Sequence, residues 1–116
     1  MSLKFKISDI SYQSFLVIPK DLIYDKQFKE LSLEAKLMYG MLLDRLQISL
    51  KNNWIDKSGN IYLIYSINEI MCLFHIGKNS AIKILKELEY YQLLEKERRG
   101  LGKPNLLYLK KIDFSK

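Results

Sequence analysis

Two clusters of residues in this chain have the types and spacing to do chemistry, and both are cationic. The first is Gly77-Lys78-Asn79-Ser80, with Lys83 and Lys86 following it. Lysine suits guanine edges and asparagine suits adenine. A helix start carrying Gly77, Lys78 and Ser80 also offers N–H groups and a hydroxyl to a phosphate. The second cluster is Arg98-Arg99-Gly100-Leu101-Gly102-Lys103, in which three cations bracket two glycines. Glycine permits a tight turn and close approach to a phosphate chain, and the cations neutralise it. Both clusters point to a polyanion, with Asn79 and Lys83 reading bases and Lys86 reaching phosphate. The plainer readings are a solvated helix face and an exposed hairpin whose cations discourage strand pairing.

The elements that must position these residues follow from apolar spacing. Ala81, Ile84, Leu85 and Leu88 form one helical stripe, so Asn79, Lys83 and Lys86 lie away from it. Before it, Ser66-Ile67-Asn68-Glu69 matches a capping box and opens a helix with Ile67, Ile70, Met71 and Phe74 on one side. His75-Ile76-Gly77 breaks that helix, which predicts a helix-turn-helix over 66–91. Leu93 to Arg98 and Asn105 to Lys110 read as two strands around a glycine-rich turn, a wing hairpin over 93–110. Ile61, Leu63 and Tyr65 supply a third strand. The expected class is α+β, mostly α: a winged helix-turn-helix of three to four helices with a small antiparallel sheet. The second helix of the pair ends at Gln92, where glycine is usual. A left-handed residue other than glycine costs about 1 kcal/mol there, unless the helix ends differently.

Upstream, Ser32 is a good N-cap for a long helix, although Ala35 stands where a capping box needs Glu. Leu33, Leu37 and Met41, with Ala35, Met38, Leu42 and Leu46, predict the most buried element, running to about Leu50 before Asn52-Asn53. Asp56-Lys57-Ser58-Gly59-Asn60 is a turn cluster. Pro19 fits a first helical position, and Phe15-Leu16-Val17-Ile18 before it reads as a short strand or extended arm. Residues 1–18 carry Phe5, Ile7, Ile10 and Tyr12, more apolar surface than a frayed terminus should expose. That arm either packs on its own core or builds a homodimer.

Size and charge restrict the partners. The 116 residues suit a single domain, 1–116. Net charge is +6, and the excess is concentrated: residues 75–111 hold nine Lys/Arg against four Glu, while 1–74 hold nine against eight Asp/Glu. A polyanion should therefore dock on the last third. With one cysteine, Cys72, within an apolar stretch, a reducing, cytoplasmic setting and a core role for the thiol are expected. No apolar run approaches the ~18 residues that span a bilayer. The single histidine, His75, has no second histidine for a metal site or relay and reads as a turn residue. Gly100-x-Gly102 is too short for a dinucleotide fingerprint. No enzyme, metal or cofactor is expected.

Several segments together resemble a known family. Phe15-Leu16-Val17-Ile18-Pro19-Lys20, Leu31-Ser32-Leu33-Glu34-Ala35-Lys36-Leu37-Met38-Tyr39-Gly40 and Asp44-Arg45 look like the N-terminal domain of the RepA plasmid replication initiators of Gram-positive plasmids. The likeness continues through Ser49, Trp54, Asp56, Gly59-Asn60-Ile61-Tyr62 and Leu85-Lys86-Glu87-Leu88, covering about residues 12–112. It implies an origin-binding initiator of theta-type plasmid replication, bound to repeated double-stranded sites through the winged helix. It further implies a longer C-terminal part, outside this sequence, that engages host replication proteins. A winged-helix transcriptional regulator and a winged helix used for protein contact are the alternatives.

Overall fold

The computed structural model describes residues 4–12 and 15–113, with backbone alone for 10–12. Each helix is set by a local signal at its start. Pro19 stands as N-cap, one place earlier than expected, before α1 (Lys20–Tyr24). A 3-10 turn, Lys26–Phe28, follows, with the Asp25 side chain accepting from the Gln27 N–H. Ser32 caps α2 (Leu33–Lys51), its hydroxyl accepting from the Ala35 N–H at 3.1 Å. Ser66 and Glu69 form the complete capping box of α3 (Ile67–Phe74). Gly77 opens α4 (Lys78–Tyr90) with no side-chain cap.

The ends of α2, α3 and α4 share one device. Asn53, His75 and Gln92 all adopt positive φ (57°, 55° and 63°) just past α2, α3 and α4. At each, the next N–H reaches back to the helix: Trp54 to the Ser49 carbonyl, Ile76 to Met71, and Leu93 to Leu88. This is the Schellman closure, which satisfies carbonyls the helix would leave orphaned. Gln92 does take the left-handed conformation that its position predicted, and buried Leu93 and Leu88 fix it in place.

Three strands, β1 (Leu63–Ile64), β2 (Leu94–Glu97) and β3 (Leu106–Leu109), form an antiparallel sheet in the order β1-β3-β2. Leu63 pairs with Leu107, and Leu94 with Leu109. Among the described residues the result is α+β and mostly helical, four α-helices and a small sheet, within the three to four helices that the spacing predicts. Asp56 ties the loop before β1 to the sheet by accepting from the Ser58 and Asn60 N–H groups and the Tyr108 hydroxyl. Those bonds, the Asn60 N–H foremost, hold the Asp56 carboxyl below the usual carboxylate range. Burial and then the Asp56 bond push the Tyr108 phenol up to about 12.

The core joins α1, α2, β1, α3, α4 and β3 through Leu22, Ala35, Leu42, Leu63, Ile70, Ala81, Leu88 and Leu107. Two expectations need correcting. On α2, Leu33 (72% exposed) and Leu37 (48%) lie outside the core. The sheet and α4 cover the face of Ala35, Met38, Tyr39 and Leu42, and residues 33 and 37 flank it. Cys72 is exposed rather than core, because it falls on the far side of α3 from Ile70. Of the two readings of Phe15–Ile18, the strand is not formed and the arm remains: residues 15–19 carry no regular structure, and Ile7–Tyr12 before them is a 3-10 helix.

The arm nevertheless crosses α2 closely. A Cβ on Gly40 would stand 2.7 Å from Ile18 Cγ1 and 3.2 Å from the Val17 carbonyl oxygen. Only a residue without a side chain lets the backbone pass at that distance.

Candidate nucleic-acid interface

The candidate interface centres on α4, and α4 is held from three sides. Ala81, Leu85 and Leu88 bury its inner stripe. Its C-terminus is closed by the Gln92 turn. Its flank carries Glu87, whose carboxylate accepts from both the Ser32 N–H (3.3 Å) and the Ser32 hydroxyl (2.5 Å). Glu87 thus does for α2 what a Glu at position 35 would do in a capping box, from 55 residues away. One carboxylate completes the start of one helix and locks the rotation of another.

With that rotation fixed, the outward residues are determined. At 3.6 residues per turn, Asn79, Lys83, Lys86 and Tyr90 share an arc of about 60°, and all four are exposed. Lys78 and Ser80, also exposed, lie to either side of it in the first turn. All five expected residues of the helix are therefore accessible, with Asn79, Lys83 and Lys86 in one line. Tyr90, 80% exposed, extends this line and was missed by sequence reasoning. The i, i+4, i+7, i+11 spacing from Asn79 was the available signal. Tyr90 packs edge-on against Tyr91, which in turn meets Phe28.

The hairpin between β2 and β3 holds the second cluster. Gly100 and Gly102 take φ of 106° and 76°, the left-handed values that a turn of this shape requires. Arg98, Arg99 and Lys103 are all exposed on this turn. The Arg99 Nε donates to the Pro104 carbonyl at 3.0 Å, which steadies one side of the loop. Leu101 at the apex is entirely exposed.

The four residues expected to form a dimer arm divide. Phe5 (71%) and Ile7 (97%) are exposed. The side chains of Ile10 and Tyr12 lie outside the described residues. Phe15 and Val17, further along the same arm, are exposed as well. The apolar surface noted in the sequence is therefore uncovered at every described position before Ile18 that carries it.

Among the described residues no group of His, Cys, Asp and Glu could hold a metal ion, and no helix is long and apolar enough to cross a membrane. His75 forms the turn between α3 and α4, as its sequence position predicts.

Comparison with known proteins agrees over nearly the whole length. The profile of the family described as "Replication initiator protein A (RepA) N-terminus" matches residues 14–116. A curated relative, a "41 kDa protein" of Lactobacillus helveticus, is 33% identical over 102 residues, which cover 88% of this chain and 29% of that protein. Among solved structures, one described as "N-Terminal domain of DNA binding protein" superposes with a TM-score of 0.84 at 38% identity, covering 99% of this chain and 88% of the other. A "Structure of Rep-DNA complex" gives 0.84 at 38%, covering 98% of this chain and 88% of the other. A "Structure of MDR initiator" gives 0.81 at 39%, covering 98% and 90%.

Proposed function

The chain belongs to the family of replication initiator protein A (RepA) N-termini, and from that membership we propose that it binds double-stranded DNA at repeated sites of a plasmid origin to initiate theta-type replication. The observation that carries this reading is the exposed line Asn79–Lys83–Lys86 on a helix anchored at its flank and end, beside a cationic hairpin. Placed in a major groove, α4 would present Asn79 and Lys83 to base edges, with Lys78, Ser80 and Lys86 at the flanking phosphates. Arg98, Arg99 and Lys103 would follow the backbone or minor groove as a wing. A neighbour described as a Rep–DNA complex supports the DNA-binding part of this reading.

One such domain reads only a few base pairs, so origin specificity comes from repetition. The uncovered apolar arm, with Phe5 and Ile7, is the surface that would hold two copies together as a homodimer. Two domains on one face of the duplex need half-sites about 10–10.5 base pairs apart, or a multiple of that. The chain spans under a third of its 41 kDa relative. Contacts with host replication proteins belong, on this reading, to the remaining length of such a protein. The setting is cytoplasmic, where the plasmid is.

A spacing experiment tests the arrangement. Five base pairs inserted between two repeats, half a helical turn, should lower affinity sharply. A variant lacking residues 1–12 should be indifferent to spacing. Equal affinity of the full chain for both spacings would mean that the domains bind independently.

A further inference from the structure

Between α4, the start of α3 and the hairpin lies a cleft of about 370 Å³. Its floor is apolar, with Ile70, Leu85 and Leu107, and three lysines line it from separate elements: Lys86 from α4, Lys96 from β2 and Lys103 from the hairpin turn. Among the described residues no carboxylate lines it. The helix start on its wall is already closed by Ser66 and Glu69, so any anion there would be held by the lysines.

Lys96 is the informative member. In the sequence it is hidden between Glu95 and Glu97, a stretch that reads as weakly acidic. Strand alternation sorts these charges: Lys96 lines this cleft, while Glu95 and Glu97 line a hollow on the other face with Asp56 and Asp113. Lys96 also meets Glu89 of α4, Nζ to Oε1, at 3.9 Å, with both side chains about one-third exposed (34% and 30%). A pair that long and that wet is weak. It can be displaced by a stronger anion.

We propose that this cleft is a channel for one sugar–phosphate strand of the bound duplex, with Lys86, Lys96 and Lys103 as its phosphate contacts and Glu89 as an internal stand-in that occupies Lys96 in the free protein. The proposal rests on the DNA-binding reading and extends it to Lys96 and Glu89. Lys86 lies on the same line as Asn79 and Lys83, so a groove that receives α4 brings a strand to the mouth of the cleft. Three like charges converging on one small volume repel one another, and a strand with a phosphate at each nucleotide relieves that repulsion at several points together. Glu89 balances one of the three in the meantime, and breaking that pair on binding takes away a little of the affinity a free lysine would give.

The test is fluorescence anisotropy of a short duplex of random sequence over a potassium chloride series. Lys96→Ala should weaken binding and reduce the slope of log affinity against log salt by about 0.9, one phosphate contact. Lys96→Arg should keep the slope. Glu89→Gln should tighten binding at low salt about two- to fivefold, the scale of a surface ion pair. That gain should vanish in the Lys96→Ala background. An unchanged slope for Lys96→Ala, beside a reduced slope for Arg99→Ala, overturns the channel and leaves the DNA reading intact. A Glu89→Gln gain that survives without Lys96 overturns the stand-in role. If inorganic phosphate at matched ionic strength displaces duplex from the wild type but not from Lys96→Ala, the cleft holds a single phosphate and the strand assignment falls. A wild-type chain that binds no duplex at all defeats the underlying reading itself.

Discussion

Helix α4 and the hairpin turn carry comparable cationic clusters, yet they are held in opposite ways. α4 is fixed by a buried stripe, by the Gln92 closure and by two hydrogen bonds from Ser32 to Glu87. The turn from Arg98 to Lys103 is exposed at every residue and is steadied by the Arg99 bond to Pro104 and a long Lys103 N–H to Gly100 carbonyl contact of 3.4 Å. Base reading demands placement to a fraction of an ångström, because hydrogen bonds to base edges fail when the donor is misplaced. Neutralising a phosphate chain tolerates displacement, since charge attraction falls off gradually. The firm element is therefore suited to discriminate and the loose one to adhere.

The largest effect that would break this contrast is on stability. Leu88→Ala, at a fully buried site in α4, should cost about 2–5 kcal/mol in urea denaturation. Leu101→Ala, at the apex of the turn, should change stability by less than about 0.5 kcal/mol. Similar losses at the two sites would mean that the turn is packed in solution and that the two elements are equally firm.

Next in size is binding. Asn79→Ala and Lys83→Ala should each cost roughly 1–3 kcal/mol on the preferred site and much less on random duplex. Equal losses on both DNAs, measured by the same titration, would make them backbone contacts and remove the discriminating role from α4. Smaller still, Arg99→Ala should weaken binding to every sequence alike and reduce the salt slope by about 0.9. A loss confined to one sequence would give the turn a reading role.

The smallest expected change sharpens the account of how α4 is held. Gln92→Gly should raise stability by roughly 0.5–1 kcal/mol, because glycine occupies the left-handed region without penalty. The gain is reduced by loss of the Lys110 Nζ bond to the Gln92 side chain, 3.3 Å long and exposed. A fall in melting temperature would show that this bond outweighs the backbone strain.

What was legible in the sequence was what is local. The Ser66–Glu69 box, the stripe 81–84–85–88 and the glycine turn depend on residues a few places apart, and each formed as its spacing predicts. Burial of Leu33 and Leu37 was misjudged because an apolar helix face does not say which side its neighbours cover. Cys72 was misjudged for the same reason. The partnership of Ser32 with Glu87 spans 55 residues and leaves no periodic trace. Lys96 was overlooked because its neighbours along the chain are acidic, whereas its neighbours across the cleft are Lys86 and Lys103.

The Glu87 contact has a consequence for anyone wishing to redirect this domain to another target. Around α4 the inward and outward positions are nearly independent alphabets: 81, 85, 87 and 88 hold the helix to the body, and 79, 83, 86 and 90 face away from it. A library randomised at the outward four, with Glu87 retained, keeps the scaffold while varying what it selects. Transplanting a whole foreign helix would replace Glu87 along with the rest. The new sequence would then sit at an altered rotation, and α2 would lose the carboxylate that completes its start.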